Sequence, residues 1–478
     1  MVMSELPKGW VECQLEDILI NLESGSRPKG GVRNISEGIP SIGGEHLDYS
    51  GGFNFTNLRF VPESFAKKMS RGHIRKKDIL IVKDGATTGK TSFVNNNFPY
   101  ESAVVNEHVF ICRTSSLLEP KFVFRFLTSK DGQNNILSNF QGSAQGGINT
   151  KFVSNTIVPL APLKEQKRIV EKLDKLLARV EEAKSRLEKI PVIIKRFRQS
   201  VLNAAVTGEL TKDWSDKNKT FLVSNDYEAP ERIPFEIPES WKWSKWIDVV
   251  SKEKHSFKRG PFGGALKKEI FVKSGYKVYE QCNPINDNCD LGNYYITKEK
   301  YEELFSFRVK AFDLLISCSG VTLGRITQVP GKYKEGIINQ ALLKVTLDTE
   351  KISNDYFIKY FRSRTFQTYL FENAQGSAQP NIKGVKELKE LPIPLPHPEE
   401  QKEIVKRVEA LFKKADEIEE RYKKAKAYVD KLTQSILAKA FRGELLPQDP
   451  NDESAEKLLE RIKAEKEKLS KEKGKNKL

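Results

Sequence analysis

A glycine-bracketed loop is the stretch of this 478-residue chain whose residue types first suggest chemistry. Residues 85–91 read GATTGKT, and Lys83 precedes them. The two glycines let another backbone approach closely, Thr87 and Thr88 can donate hydrogen bonds, and Lys90 can meet a phosphate. A nucleotide-binding loop needs four residues between its glycines, and only three stand here, so we do not expect nucleotide hydrolysis. A nucleic-acid phosphate contact and a plain glycine turn with a solvated lysine remain as alternatives.

The same pattern returns 235 residues later, where residues 313–316 and Arg325 take the places of residues 78–81 and Lys90. Arg325 is therefore the second candidate for a phosphate contact. The hydroxyl groups of Ser317 and Ser319 are the candidate donors that accompany it.

Amide side chains near glycine form a second pair of candidates: Gln141 and Gln145 in the first copy, and Gln375 and Gln379 in the second. Amides can read adenine edges, and they also brace turns. Both copies keep the same residues, whereas two different targets would require different readers. We therefore favour a shared structural or backbone-contacting role.

Base reading is expected where the two copies differ, in glycine-rich, loop-like sequence. Arginine and lysine suit guanine edges and phosphates equally, so the sequence leaves those two roles open. The candidates are Arg27, Lys29, Arg33 and His46 in the first copy, and Lys258, Arg259, Lys267 and Lys268 in the second.

Catalytic patterns are missing from the sequence. It has no Asn-Pro-Pro-Tyr methyl-transfer motif, no carboxylate–lysine cluster typical of nucleases and no G-x-S-x-G elbow. Its five cysteines contain no CxxC pair, and its five histidines are scattered, which argues against a metal site. We predict no active site, no metal and no cofactor in this chain.

The elements that must position these residues come from one unit used twice. Residues 6–10 return at 237–241, 141–145 at 375–379, 165–167 at 400–402 and 208–210 at 443–445, always in the same order. A repeat of this kind decides the architecture. Each unit is predicted to be a globular part followed by a long helix.

Each of these helices carries its apolar residues in alternating steps of four and three, the heptad pattern of a helix packed along a partner helix. The first seam is Ile169, Leu173, Leu176, Val180, Ala183, Leu187, Ile190, Ile194, Phe197 and Val201. The second is Ile404, Val408, Leu411, Ala415, Ile418, Tyr422, Ala425, Val429, Leu432 and Ile436. Each spans ~33 residues, or about 50 Å. The two helices are expected to lie side by side, the alternative being two unrelated surface helices.

Pro191 interrupts the first helix, because proline removes one backbone hydrogen bond. The seam keeps its register through Pro191, so we expect a kink or a short break. The second helix has Lys426 at that position and is expected to run straighter.

The globular parts are predicted to be α+β. Strands are predicted at 79–82, 104–111, 314–317 and 341–347, with helical core segments at 121–128 and 356–361. Residues 211–236 are predicted to be an ordered connector anchored by Trp214, Phe221 and Tyr227. Residues 455–469 could form a further helix, with a disordered lysine-rich end after it.

The bulk charge indicates the partner. A net charge of +16 and a pI of about 9.3 favour a polyanion, with nucleic acid first and an acidic membrane surface as the competitor. No stretch reaches the ~18 apolar residues of a spanning helix. An odd number of cysteines suits a reducing cytoplasm.

Taken together, the duplication and several short motifs resemble the specificity subunit of type I restriction–modification systems, over nearly the whole chain. The matching stretches are residues 6–10, 142–145, 162–170 (PLKEQKRIV), 195–202 (KRFRQSVL), 208–210 and 447–453 (PQDPNDE). Two features depart from the pattern, namely Pro191 and a longer, more lysine-rich tail.

The resemblance implies two target-recognition domains separated by two conserved helices that pack as an antiparallel coiled coil, giving a pseudo-twofold internal repeat. Target-recognition domain 1 would cover residues 1–160, the first helical region 161–210, the connector 211–236, target-recognition domain 2 residues 237–395, the second helical region 396–446 and the charged tail 447–478. Each domain would read one half of a split, asymmetric DNA site, and the helices would set the spacing.

The resemblance also implies the partners, which are double-stranded DNA, two modification subunits that bring S-adenosylmethionine and methylate adenine, and restriction subunits that bring ATP and magnesium. This chain would be a non-catalytic part of a prokaryotic, cytoplasmic host-defence complex. A single-chain DNA methyltransferase or nuclease, and a coiled-coil scaffold that binds no DNA, are the alternatives.

Overall fold

The computed structural model describes residues 6–32, 35–142, 146–218, 235–262, 264–319, 322–371, 382 and 384–475. The chain divides into two compact units, one made of Met1–Glu188 with Lys424–Leu478 and the other of Lys189–Lys423. Both units combine short strands with helices, so the α+β prediction is confirmed.

The first unit begins with β1 (Val11–Gln14), α1 (Leu15–Ile18), β2 (Leu19–Ser24), β3 (Ile39–Ile42), β4 (Arg59–Val61), α2 (Glu63–Lys68), β5 (Ile79–Val82), β6 (Thr91–Phe93), β7 (Val104–Val105), β8 (Val109–Thr114), α3 (Pro120–Leu127), α4 (Lys130–Leu137), α5 (Phe152–Asn155) and β9 (Ile157–Leu160). The strands form an antiparallel sheet in the order β2-β8-β5-β6, a second sheet β4-β3-β7 and a pair β1-β9. In the pair, Val11 lies opposite Leu160, which brings the two ends of the globular part together.

Strand β5 shows why this stretch is central. All four of its residues are buried. Ile79 and Ile81 pack into one hydrophobic cluster, and Leu80 and Val82 pack into another. A strand covered on both faces has a continuous apolar sequence, so this stretch could be predicted residue for residue.

Residues 104–111 form two strands where one was predicted. Asn106 accepts a hydrogen bond from the His108 backbone N–H at 2.9 Å and makes a turn between β7 and β8. An asparagine side chain that bonds two residues ahead is a local competitor of a strand ladder.

The helical region follows as α6 (Leu163–Glu188) and α7 (Ile190–Val206), with α8 (Lys212–Lys217) after it. The break at Lys189 confirms the expected interruption near Pro191. Pro191 stands in the first turn of α7, where its missing N–H is not needed. Trp214 lies in α8, whereas Phe221 and Tyr227 lie outside the described residues.

The second unit repeats the first in its main sheet order. Its elements are β10 (Lys242–Lys245), β11 (Phe257–Arg259), β12 (Tyr276–Tyr279), α9 (Cys282–Asn286), β13 (Tyr295–Ile296), α10 (Lys298–Glu303), β14 (Leu314–Ser317), β15 (Ile326–Gln328), β16 (Gly336–Ile338), β17 (Leu342–Val345), α11 (Asn354–Phe361), α12 (Arg364–Phe371), α13 (Val385–Lys389) and β18 (Pro392–Leu395). The sheets run β11-β17-β14-β15, β13-β12-β16 and β10-β18. The duplication seen in the sequence is therefore a duplication of topology.

The chain ends with α14 (Pro398–Phe441) and α15 (Ala455–Lys475). Helix α14 is unbroken, as expected for the copy without a proline, and α15 begins at the predicted residue and runs six residues past 469. In the first unit, Ile169 and Leu173 near the start of α6 share a hydrophobic cluster with Leu437 and Phe441 at the end of α14.

In the second unit the order is reversed, as antiparallel packing requires. Val201 and Leu202 near the end of α7 share a cluster with Ile404 and Val408 near the start of α14. The seam residues Ile169, Leu173, Val180, Ile404 and Val408 are buried, and Leu176, Leu187, Ile190, Leu411, Tyr422 and Val429 are half-buried.

Ile418 departs from the predicted seam, since it is 50% exposed. The Arg198 guanidinium of α7 pairs with Asp416 and Glu419 at 2.5 and 3.1 Å and lies 6.0 Å from the Phe412 ring centroid. The contact with Arg198 thus follows positions 412, 416 and 419, one residue away from the predicted line 411, 415 and 418.

Candidate nucleic-acid interface

Four loops meet at one end of the main sheet of the first unit. They are residues 25–29 after β2, 83–90 between β5 and β6, 106–108 before β8, and 141–148. The Lys83 N–H donates to His108 O at 2.8 Å, Ile148 N–H donates to Lys83 O at 2.8 Å, and Gly25 N–H donates to Asn106 O at 3.2 Å. We call this surface the first tip.

Gly25 permits the closest of these approaches. A Cβ atom added there would lie 1.6 Å from Val105 O, so no other residue fits without moving the backbone. The glycine therefore fixes where Arg27 leaves the sheet.

A charged cluster stands on the first tip. Arg27 Nε lies 2.9 Å from Glu107 Oε1, and His108 Nε2 lies 3.3 Å from the same oxygen. His108 Nδ1 lies 2.5 Å from Asp84 Oδ1, and Lys83 Nζ donates to Glu107 O at 3.2 Å. This half-exposed cluster offers both donors and acceptors, which is what the edges of base pairs require.

The glycine-bracketed loop takes a different form from a phosphate cradle at its lysine. Lys90 Nζ donates to Leu47 O at 2.9 Å and to Gly44 O at 3.4 Å, and it lies 4.8 Å from the Tyr49 ring centroid. Thr88 Oγ1 donates to Gly85 O at 2.7 Å, and Thr87 O accepts the Lys90 N–H at 3.1 Å. This geometry favours the turn interpretation for Lys90, and the phosphate contacts of Thr87, Thr88 and Lys90 stay predictions.

The remaining first-copy candidates separate by burial. His46 is buried, with its Nδ1 accepting the Gly43 N–H at 2.9 Å, so its ring faces the protein interior. Lys29 is exposed beside the first tip, and Gln141 pairs its backbone with Gly147 there. Arg33 and Gln145 lie outside the described residues.

The second unit has an equivalent surface, the second tip, made by the loops after β11 and β14 and before β17. Gly260 repeats the close approach of Gly25, since an added Cβ would lie 1.8 Å from Asn339 O. The Cys318 N–H donates to Ala341 O at 2.8 Å, as Lys83 does to His108. The backbone is thus reused while the side chains differ.

Aromatic side chains accompany the basic candidates of the second unit. The Arg259 guanidinium lies 5.6 Å from the ring centroid of Phe262, which is 68% exposed, and Lys258 Nζ lies 4.8 Å from the Phe307 ring centroid. Lys267 and Lys268 are exposed. An exposed ring held by a guanidinium is suited to stacking and to contact with a thymine methyl group.

The serine candidates of the second unit have structural partners. Ser317 is buried, donates to Thr322 O at 2.7 Å and accepts the Arg325 N–H at 2.9 Å. Ser319 Oγ accepts a hydrogen bond from Gln281 Nε2 at 3.2 Å. The side chain of Arg325 is exposed, and Gln375 and Gln379 lie outside the described residues.

Across the described part of the chain, no cluster of three or more His, Cys, Asp or Glu side chains is arranged to hold a metal ion. None of the helices described is long and apolar enough to span a membrane.

The sequence profile of the "Type I restriction modification DNA specificity domain" matches residues 7–191 and 252–427, which is most of the chain. The chain belongs to this family. The specificity subunit of the type I restriction enzyme EcoKI from Escherichia coli strain K12 is 29% identical over 97% of both chains. That of EcoDI from Escherichia coli is 32% identical over 73% of this chain and 77% of its own length. That of EcoBI from Escherichia coli is 37% identical over 66% of each chain.

Solved structures share the fold. The crystal structure of an HsdS subunit from Thermoanaerobacter tengcongensis has a TM-score of 0.58 and 19% identity, covering 93% of this chain and 99% of that one. A chain from a study of complex assembly and conformational transition of a type I restriction–modification system has a TM-score of 0.62 and 19% identity, covering 92% of this chain and all of the other.

Three tip residues of this specificity subunit, Asp84, Glu107 and His108, were missed by sequence reasoning. They are not cations in glycine-rich sequence, and two of them are carboxylates beside the repeated framework. The difference between the two copies could have revealed them. Residues 105–108 read VNEH in the first copy, whereas residues 338–341 read INQA in the second.

Proposed function

We propose that each globular part of this specificity subunit, residues 1–160 and residues 237–395, reads one half of a bipartite, asymmetric DNA site. The main support is that two tips share one backbone framework and present different side chains. Positions 27, 84, 107 and 108 hold Arg, Asp, Glu and His in the first tip, and their counterparts 262, 319, 340 and 341 hold Phe, Ser, Gln and Ala.

A shared framework with different side chains is what two related readers of two different sequences require. Phosphate contacts position a protein on DNA, whereas contacts with base edges specify the sequence. The framework glycines Gly25 and Gly260 hold the backbone, and the variable side chains stand where base edges can be reached.

The proposal assigns the paired helices to spacing and assembly. They set the distance between the two half-sites and dock two modification subunits, which supply S-adenosylmethionine and methylate adenine. Restriction subunits supply ATP-driven translocation and magnesium-dependent cleavage. This chain contributes no catalytic group, and we place the complex in the cytoplasm of a prokaryote.

An exchange of one globular part tests this proposal. Residues 11–155 are replaced by the equivalent segment of another family member, the complex is assembled with modification subunits, and methylated sites are mapped on a random DNA library. We expect one half-site to change and the other to stay. Exchange of residues 242–390 is the matched control and should change only the other half-site.

A change in both half-sites, or in neither, would contradict the modular interpretation. Methyl transfer by the purified chain alone, followed with labelled S-adenosylmethionine, would instead make it an enzyme.

A further inference from the structure

A basic groove in the second unit lies outside both tips. It runs between α7 and the globular part, has a volume of about 1260 Å³, and is bordered by α9, the residues before β15 and the start of α12. We call it the α7 groove. Its cations are Lys195, Arg196, Arg198, Arg325, Arg362 and Arg364.

Two of these cations are already paired. Arg198 bonds Asp416 and Glu419, and Arg362 bonds Asp287 at 2.8 Å. Lys195, Arg196, Arg325 and Arg364 are exposed and have no ion-pair partner among the described residues. The groove therefore holds an excess of positive charge that the described protein does not neutralise.

The shape of the groove suits an extended anion. Val192, Lys195, Gln199 and Asn203 recur at steps of three and four along α7, so they share one helix face. At one end, Thr365 Oγ1 donates to Asn203 Oδ1 at 2.9 Å and joins α7 to α12. Lys195 and Arg196 on one wall face the same open space as Arg325 and Arg364 on the other.

The corresponding face of the first unit carries less of this charge. At the positions 235 residues away, Asp430 and Thr433 replace Lys195 and Arg198. Lys90, the counterpart of Arg325, spends its ammonium on the backbone carbonyls of Gly44 and Leu47. The excess of positive charge in the groove is therefore a property of the second unit and not of the repeated framework.

We propose that the α7 groove binds the phosphodiester backbone of the DNA, so that helix α7 grips phosphates in addition to its spacing role. The inference rests on the proposed function. Four unpaired cations on two facing walls match a run of phosphates, and none of them lies on a tip where bases are read. The grip is independent of sequence and belongs to one half of the site only.

Lys195→Gln with Arg196→Gln in the complex assembled with modification subunits tests the proposal. Both residues are exposed on a helix, and glutamine is a good helix former, so the fold should persist. Affinity for specific and for random duplexes should fall by the same factor, about tenfold at ~0.1 M salt for each phosphate that is no longer bound. The slope of log affinity against log salt should decrease by about two.

Lys431→Gln with Lys439→Gln is the matched control, because it removes the same charge from exposed positions of α14 in the first unit. This control should leave the salt slope unchanged. Ethylation of individual phosphates should weaken binding of the wild-type complex at positions where it no longer weakens binding of the Lys195/Arg196 variant.

Each other outcome overturns the proposal in its own way. An unchanged slope means that no phosphate is bound. A loss confined to the specific duplex means that these residues read bases. Loss of assembly with intact DNA affinity means that the groove binds an acidic face of a modification subunit. Failure of the proposed function shows separately, because the wild-type complex would then not distinguish specific from random DNA.

Discussion

The Trp10 indole N–H donates to Glu165 Oε2 at 3.0 Å, and this bond ties the start of the first unit to the first turn of α6. The second unit repeats it, with Trp241 Nε1 donating to Glu400 Oε2 at 2.8 Å. Burial raises the pKa of Glu165, and its bonds with Trp10 and Gln448 act in the opposite direction. The repeated Trp and Glu-Gln motifs of the sequence are thus two ends of one contact.

Removal of Glu400 should cost more than removal of Glu165. Glu400 Oε1 also accepts the hydroxyls of Thr211 and Ser215 at 2.8 and 2.6 Å, so Glu400→Ala leaves three donors without an acceptor. Unsatisfied buried donors cost about 1–3 kcal/mol each at most, and we expect a loss on the order of 3 kcal/mol in urea unfolding followed by tryptophan fluorescence.

Glu400→Gln keeps one acceptor oxygen and should lie between the wild type and Glu400→Ala. Glu417→Ala, an exposed change on the same helix, should stay within about 0.5 kcal/mol. Equal losses for Glu400→Ala and Glu417→Ala would show that the indole contact adds nothing.

Phe441 anchors the end of α14 in the first unit. It is 5% exposed, and its ring centroid lies 5.2 Å from that of Phe122 and 5.3 Å from that of Phe126. Phe441→Ala should lower the free energy of unfolding by about 3–5 kcal/mol because it leaves a cavity. Tyr428→Ala serves as the control, since Tyr428 is 67% exposed on the same helix and should change stability little.

The charged cluster of the first tip should decide one half-site. Glu107→Gln with His108→Ala gives the first tip the residues that the second tip has at these positions. Discrimination at the first half-site should fall by roughly 1–3 kcal/mol for each base contact that the variant cannot make, measured by methylation of singly substituted sites. Discrimination at the second half-site is the internal control, and an equal loss there would assign the cluster to stability instead.

Lys344 and Asp313 form a buried pair with Nζ and Oδ2 3.7 Å apart. Burial raises the pKa of Asp313, and Lys344 acts to lower it. Lys344→Met should therefore raise the folded-state pKa of Asp313 further above its unfolded value. A raised carboxyl pKa means that stability is lost as pH rises through the acid range.

The penalty of Lys344→Met should thus be smaller near pH 4 than at pH 7, compared by urea midpoints at the two pH values. Lys298→Met, at an exposed position of α10, should show no such difference. A penalty for Lys344→Met that is the same at both pH values would contradict the assignment.

Much of the fold could be predicted because its determinants are local or periodic. Strands Ile79–Val82 and Leu314–Ser317 are continuous apolar runs, and the helical seams repeat every seven residues over about nine turns. The interruption beside Pro191 followed from the chemistry of one residue. Ile418 was misplaced because Arg198 makes a polar contact across the helices at this point, which a hydrophobic pattern does not contain.

The candidate readers were harder to predict, since side-chain direction depends on distant contacts. Lys90 and His46 are basic residues in loop-like sequence, yet one ammonium bonds backbone carbonyls and the other ring is buried. Asp84 and His108 are 24 residues apart and meet only because β5 and β8 are neighbours in the sheet.

The sequence by itself determined the duplication, the helices and the family, because repeats, periodicity and motifs are written in residue order. The tertiary structure alone decided which side chains share a surface, because strand pairing and helix packing bring together residues whose order in the chain is unrelated. The four unpaired cations of the α7 groove come from three separate stretches, so only the folded chain shows that they face one another.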